Sequence, residues 1–77
     1  MRNITTTVDV RIYMPKDKRP AIFEAFDKLT SGETMELIND HDPRPLYDHL
    51  DVERPNQFEW DYLEQGPELW RIGITKK

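Results

Sequence analysis

Two alternating runs near the end of the chain set the strongest constraint on its fold. Phe58, Trp60 and Tyr62 alternate with Glu59 and Asp61, and Trp70, Ile72 and Ile74 alternate with Arg71 and Gly73. A period of two sends one set of side chains to each face of a strand. Between the runs stands Gln65-Gly66-Pro67-Glu68, a turn signal that folds the second strand back on the first. The product is an antiparallel pair with one face crowded by aromatic and β-branched side chains. The rest of the chain has to cover that face.

The preceding residues supply strands and helices in alternation. Val8, Val10 and Ile12 alternate with Asp9, Arg11 and Tyr13, which predicts a strand that Pro15 ends. Asp17 is expected to cap a helix with Pro20 in its first turn, and Ile22, Phe23, Phe26 and Leu29 recur at helical spacing as its core stripe. Ser31-Gly32 supplies the stop. From Glu33 to Asn39, Met35 and Leu37 alternate with Thr34 and Glu36, a second strand. After Pro45, residues Leu46, Tyr47 and Leu50 share one side of a short helix that Arg54-Pro55-Asn56 closes. The order β-α-β-α-β-β over residues 1–77, read as a single domain, predicts an α+β fold. Its form is a two-layer sandwich with both helices on one face of a four-stranded mixed sheet. Asp9, Arg11, Thr34, Glu36, Glu59, Asp61 and Arg71 would then populate the other face, either solvated or docked against a partner.

Composition excludes several function classes. Fifteen acidic residues against 11 basic ones leave a formal charge of -4, which opposes general attraction to phosphate backbones and argues against nucleic acid. Lys16, Lys18 and Arg19, and Lys76-Lys77 at the end, read as solvated surface. With no cysteine, the chain brings no disulfide, thiolate metal site or sulfur nucleophile of its own. No apolar stretch approaches the ~20 residues that span a bilayer, and the start Met1-Arg2-Asn3-Ile4-Thr5 lacks the apolar run of a signal peptide, so a cytoplasmic location is expected. A chain of 77 residues has little interior. Extra stabilisation is therefore expected from a second copy, a fused partner domain or a bound ligand.

One run reads as a site. Asn39-Asp40-His41-Asp42-Pro43-Arg44-Pro45-Leu46 places a histidine among acidic residues where a strand ends and a helix begins, with two prolines to stiffen the approach. Asn39, Asp40, His41, Asp42 and Arg44 are the candidate ligand or partner contacts. His41 could hold a ligand or work as a general base with Asp40 or Asp42 orienting the ring. It could equally bond the loop backbone while Asn39 or Asp42 caps the turn. As a metal ligand it would need His49 and Asp48, but the histidines stand eight apart, a poor spacing for one helical face. Haem has no attachment motif here. Glu59, Asp61 and Glu64 include no selected catalytic pair, Ser31 sits in no nucleophile elbow, and glycines at 32, 66 and 73 form neither phosphate-binding fingerprint.

Together with Val8-Asp9-Val10-Arg11, Ile22-Phe23-Glu24-Ala25-Phe26 and Phe58-Glu59-Trp60, that run resembles the prokaryotic family DUF 2249 over nearly the whole chain. The resemblance implies a fold similar to the SirA/TusA sulfur-carrier domains. Their working cysteine falls where this chain has Tyr13-Met14-Pro15-Lys16, so sulfur transfer does not carry over. Relatives lie beside or fused to hemerythrin-like and other redox-associated domains, which implies an accessory role in redox, metal or nitrogen-oxide metabolism. Many members have Gly-Leu in place of Ile12-Tyr13. The expected function is a small non-enzymatic binding or interaction module using the His-Asp-Pro loop, with a metal-binding, haem-binding or acid/base enzyme domain built on His41 as the alternative. The cofactor is left open.

Overall fold

The computed structural model describes residues 3–77. Strand β1 (Ile4–Asp9) is followed by a short 3-10 turn (Val10–Ile12), helix α1 (Pro15–Asp27), strand β2 (Thr34–Asn39), helix α2 (Arg44–Glu53) and strands β3 (Phe58–Gln65) and β4 (Trp70–Lys76). The strands form one mixed sheet in the order β1-β2-β4-β3, with β1 parallel to β2 and the other pairs antiparallel. This is the small α+β sandwich that the hydrophobic periodicity predicts.

The core lies between the sheet and the helices. Ile22, Phe26 and Leu29, on and just after α1, and Leu50 of α2 are buried with Val8, Met35, Leu37, Phe58, Ile72 and Ile74 of the strands. Register explains the match: Met35 faces Ile74 and Leu37 faces Ile72 across the β2–β4 ladder, so the apolar sets share one face. Along that face the rings of Phe26, Phe58, Tyr47, Trp60, Tyr62 and Trp70 meet edge to face, with neighbouring centroids 5.2–6.4 Å apart. That geometry suits the ring quadrupoles. The aromatic run of β3 is thus structural.

Three boundaries differ from the sequence-based expectation. The first strand stops at Asp9 instead of running through Ile12, because the Asp9 carboxylate accepts the Arg11 backbone N–H at 3.1 Å and pairs with the Arg11 guanidinium. Such a local side-chain bond offers the backbone an alternative to the ladder. Val10 still reaches the core while Ile12 is 80% exposed.

Helix α1 starts at Pro15, not after an Asp17 cap, so the proline expected to end a strand begins the helix. Pro20 therefore falls inside the helix, where it withholds the N–H that would meet the Lys16 carbonyl. The helix also ends before Ser31-Gly32. Gly32, at φ 89°, instead turns the chain into β2 and donates its N–H to the Lys76 carbonyl at 2.7 Å.

The outer face is polar yet far from uniformly wet. Thr34 and Glu36 of β2 are buried. Glu36 accepts from Thr7 Oγ1 at 3.1 Å and pairs with Arg71, which in turn approaches Glu64 at 3.9 Å. One polar belt thereby crosses all four strands, and Gly73, facing Glu36 in the ladder, brings no side chain to crowd it. Glu36→Ala would leave Arg71 without its main partner. It should lower stability by about 1–3 kcal/mol in urea unfolding, with the fold otherwise retained.

The two helices are tied at their ends by Arg54, which donates to both Asp27 carboxylate oxygens at 2.9 and 3.0 Å and lies 5.4 Å over the Phe23 ring. The guanidinium hydrogen bonds hold the Asp27 carboxyl below its ordinary 3.8. A carboxyl whose pKa is depressed in the folded state stabilises above its unfolded pKa and loses that contribution as pH falls through the folded one. Thermal midpoints should therefore hold from neutrality towards the ordinary carboxylate range and fall below it. Asp27→Asn should flatten that acid limb.

Candidate functional site

Parallel pairing of β1 and β2 sets the C-terminal ends of both strands side by side, and the helix that follows each strand starts there. Between these starts opens a cavity of about 490 Å3, a size typical of small-molecule sites. Val10 and Ile22 contribute buried apolar wall, joined by Pro15 and Pro20 of α1, Pro43 before α2, and Pro45 and Leu46 within it. The polar lining consists of Asn39, His41, Lys16, Lys18 and Arg19.

Asn39 is the anchored member. It ends β2, is only 6% exposed, and its Oδ1 accepts the Asp40 backbone N–H at 2.8 Å. That bond identifies the oxygen. The Asn39 side chain then lines the cavity with its amide oxygen already engaged by the loop backbone. His41 stands at the mouth with its side chain 63% exposed, and its Nδ1 lies 2.7 Å from Asp40 Oδ1. The same hydrogen bond to His41 is the main reason the Asp40 carboxyl sits below its ordinary value. With Nδ1 engaged, Nε2 is the nitrogen free to meet a ligand.

The fold divides the candidate run. Asn39 and His41 line the cavity, Asp40 orients His41, and Asp42 and Arg44 do not line it. Asp42 accepts from the Tyr62 hydroxyl at 2.9 Å, tying the loop to β3. Burial, and then that carboxylate, push the Tyr62 phenol above its ordinary value. Arg44 covers the Tyr47 ring at 4.9 Å and approaches Asp48 at 3.7 Å. His49 packs against Phe23 at 5.4 Å between the helices. No group of three or more His, Cys, Asp or Glu side chains is placed to hold a metal ion among the described residues.

Lys16, Lys18 and Arg19 are the residues that sequence reasoning left on the surface. The fold brings them to the cavity mouth opposite His41, and none forms an ion pair within 4.0 Å among the described residues. Their signal is clustering within four positions of a chain whose other cations, Lys76-Lys77 apart, are scattered. The facing side, 20 residues or more away in sequence, was not visible.

The model of the family described as "Uncharacterized conserved protein (DUF2249)" matches residues 7–76. The chain belongs to the DUF2249 family. That match covers both helices, all of β2, β3 and β4, and every residue lining the cavity. No curated protein and no solved structure matches this DUF2249 chain.

Exposure separates the two central residues of the site by their effect on stability. In Asn39→Ala the Asp40 N–H loses its acceptor, with an expected cost of about 1–2 kcal/mol in chemical unfolding. His41→Ala should leave the unfolding midpoint unchanged while the Asp40 carboxyl rises towards 3.8, read by carboxyl-carbon NMR titration. A midpoint that falls with His41→Ala would make the histidine a structural residue.

Proposed function

We propose that this DUF2249 chain is a small non-enzymatic binding module whose ligand enters the cavity between the starts of α1 and α2. The observation that carries this reading is the cavity itself, about 490 Å3 between the two helix starts, with Asn39 fixed in its wall and His41 in its lining. Asn39, held in place by the Asp40 backbone N–H, offers one polar contact in the wall. His41 Nε2, aligned by Asp40, provides a second polar contact at the mouth. A module of this kind acts in the cytoplasm beside a redox-associated protein or domain, in redox, metal or nitrogen-oxide metabolism.

The Asp40–His41 contact also favours a second reading, an acid/base enzyme in which Nε2 takes a proton. Both readings place the ligand at the same wall but differ in what happens to it. Titrating 15N-labelled protein with a mixed set of neutral, cationic and anionic fragments, zinc and haemin should shift amides of residues 15–22 and 39–46. His41→Ala should weaken the best binder at least tenfold without disturbing the rest of the spectrum. A set in which nothing maps to those residues sinks the proposal, and turnover of a bound fragment, lost in His41→Ala, would favour the enzyme.

A further inference from the structure

The electrostatics and the walls of the cavity together define a class of ligand. The chain as a whole is acidic, at -4, yet the cavity lining contains three cations and no carboxylate. Asp40 is the acidic neighbour, close enough to Lys18 to feel its charge, and it is engaged by His41. Both helices point their N-terminal ends at the same space: Pro15 and Lys16 of α1 line it from one side, and Pro45 and Leu46 of α2 from the other. Neither Met14 nor Pro43, the residues before these helices, caps its helix through a side chain. Two positive helix ends and three lysine or arginine side chains therefore converge on one opening.

Most first-turn N–H groups at the two helix starts are already bonded or missing. Asp17 N–H is bonded to the Met14 carbonyl, Leu46 and Tyr47 N–H to that of Pro43, and Pro15 and Pro45 have none. Their contribution is a field, and direct contacts fall to Lys16, Lys18, Arg19, His41 and Asn39. The rest of the lining is apolar: Val10, Ile22 and Pro43 are buried, and Pro15, Pro20, Pro45 and Leu46 flank them. A bare inorganic anion would satisfy the mouth and leave that wall wet. A neutral apolar compound would fill the wall and leave the cations without a counterion.

Building on the reading of this cavity as a ligand site, we infer that the DUF2249 chain binds an organic anion, a carboxylate or phosphate monoester attached to an apolar body. The anionic head lies at the mouth among Lys16, Lys18, Arg19 and His41, and the body packs against the proline-lined wall. The rigidity of four proline rings keeps the walls apart and lowers the ordering cost of filling the space.

The test uses the full chain and four probes: 4-phenylbutyrate, phenyl phosphate, the neutral 4-phenylbutanamide and inorganic phosphate, each followed by 15N amide shifts and calorimetry. Either or both organic anions should shift residues 15–22 and 39–46 and bind at least tenfold more tightly than the amide and inorganic phosphate. Added salt should weaken them. The carboxylate and phosphate arms separate the two sources of the same head group. The paired substitution Lys18→Gln and Arg19→Gln, at surface positions, should weaken the organic anions at least tenfold and leave the amide unaffected, with the unfolding midpoint as a fold control.

Inorganic phosphate binding as tightly as the organic anions would overturn the apolar half of the inference. The amide binding as tightly would overturn the anionic half. In both cases the cavity would stand as a ligand site. No probe shifting the cavity residues would overturn the inference, while a zinc, haemin or cationic response there would keep the ligand site itself.

Discussion

Strand β2 is the element on which the rest of the molecule depends. It has neighbours on both sides, parallel β1 and antiparallel β4, and it is buried on both faces along most of its length. Met35 and Leu37 supply the middle of the core, while Thr34 and Glu36 supply the middle of the outer face. An apolar side chain at Glu36 would satisfy burial equally well. The charge instead recruits Arg71 and Thr7, and through Arg71 a link to Glu64, so that each strand contributes one group to a shared polar belt. Such a belt specifies register, because a slip by one residue would carry Glu36 into the core.

Burial of β2 also locates the candidate site. Asn39 ends the strand as a buried residue with its oxygen held by the next backbone N–H, so its position follows from the sheet and not from loop packing. His41 stands two residues further on, aligned by Asp40, and Asp42 returns the loop to β3 through Tyr62. A site whose polar groups hang from a sheet end and whose walls are proline rings needs little rearrangement to receive a guest. Precision near the strand gives way to exposure at the mouth, the order expected where a ligand is admitted from solvent.

Legibility in the sequence followed the range of the interactions. The β3–β4 hairpin was readable because alternation and its turn signal are local, and the helix stripes were readable because i, i+3 and i+4 positions are local too. Local alternation misled at Val10 and Ile12, where an Asp9 side chain competes with the ladder for the backbone. Proline misled at position 15, since the residue that breaks a strand is also suited to starting a helix. The candidate run was recognised as a unit, but its division between cavity, His41 support and the Tyr62 tie depends on which strand passes beside it.

The sequence alone therefore determined the element order, the apolar face of each element, the absence of a cysteine nucleophile from this chain and the stretch from Asn39 to Arg44 as the place to look. Tertiary structure alone decided that Lys16, Lys18 and Arg19 line one cavity with Asn39 and His41 of that stretch. The physical reason is distance along the chain. Periodicity and turn chemistry act over a few residues, whereas a cavity is made when parallel strands bring two helix starts together, and nothing in the local pattern of either start encodes the other.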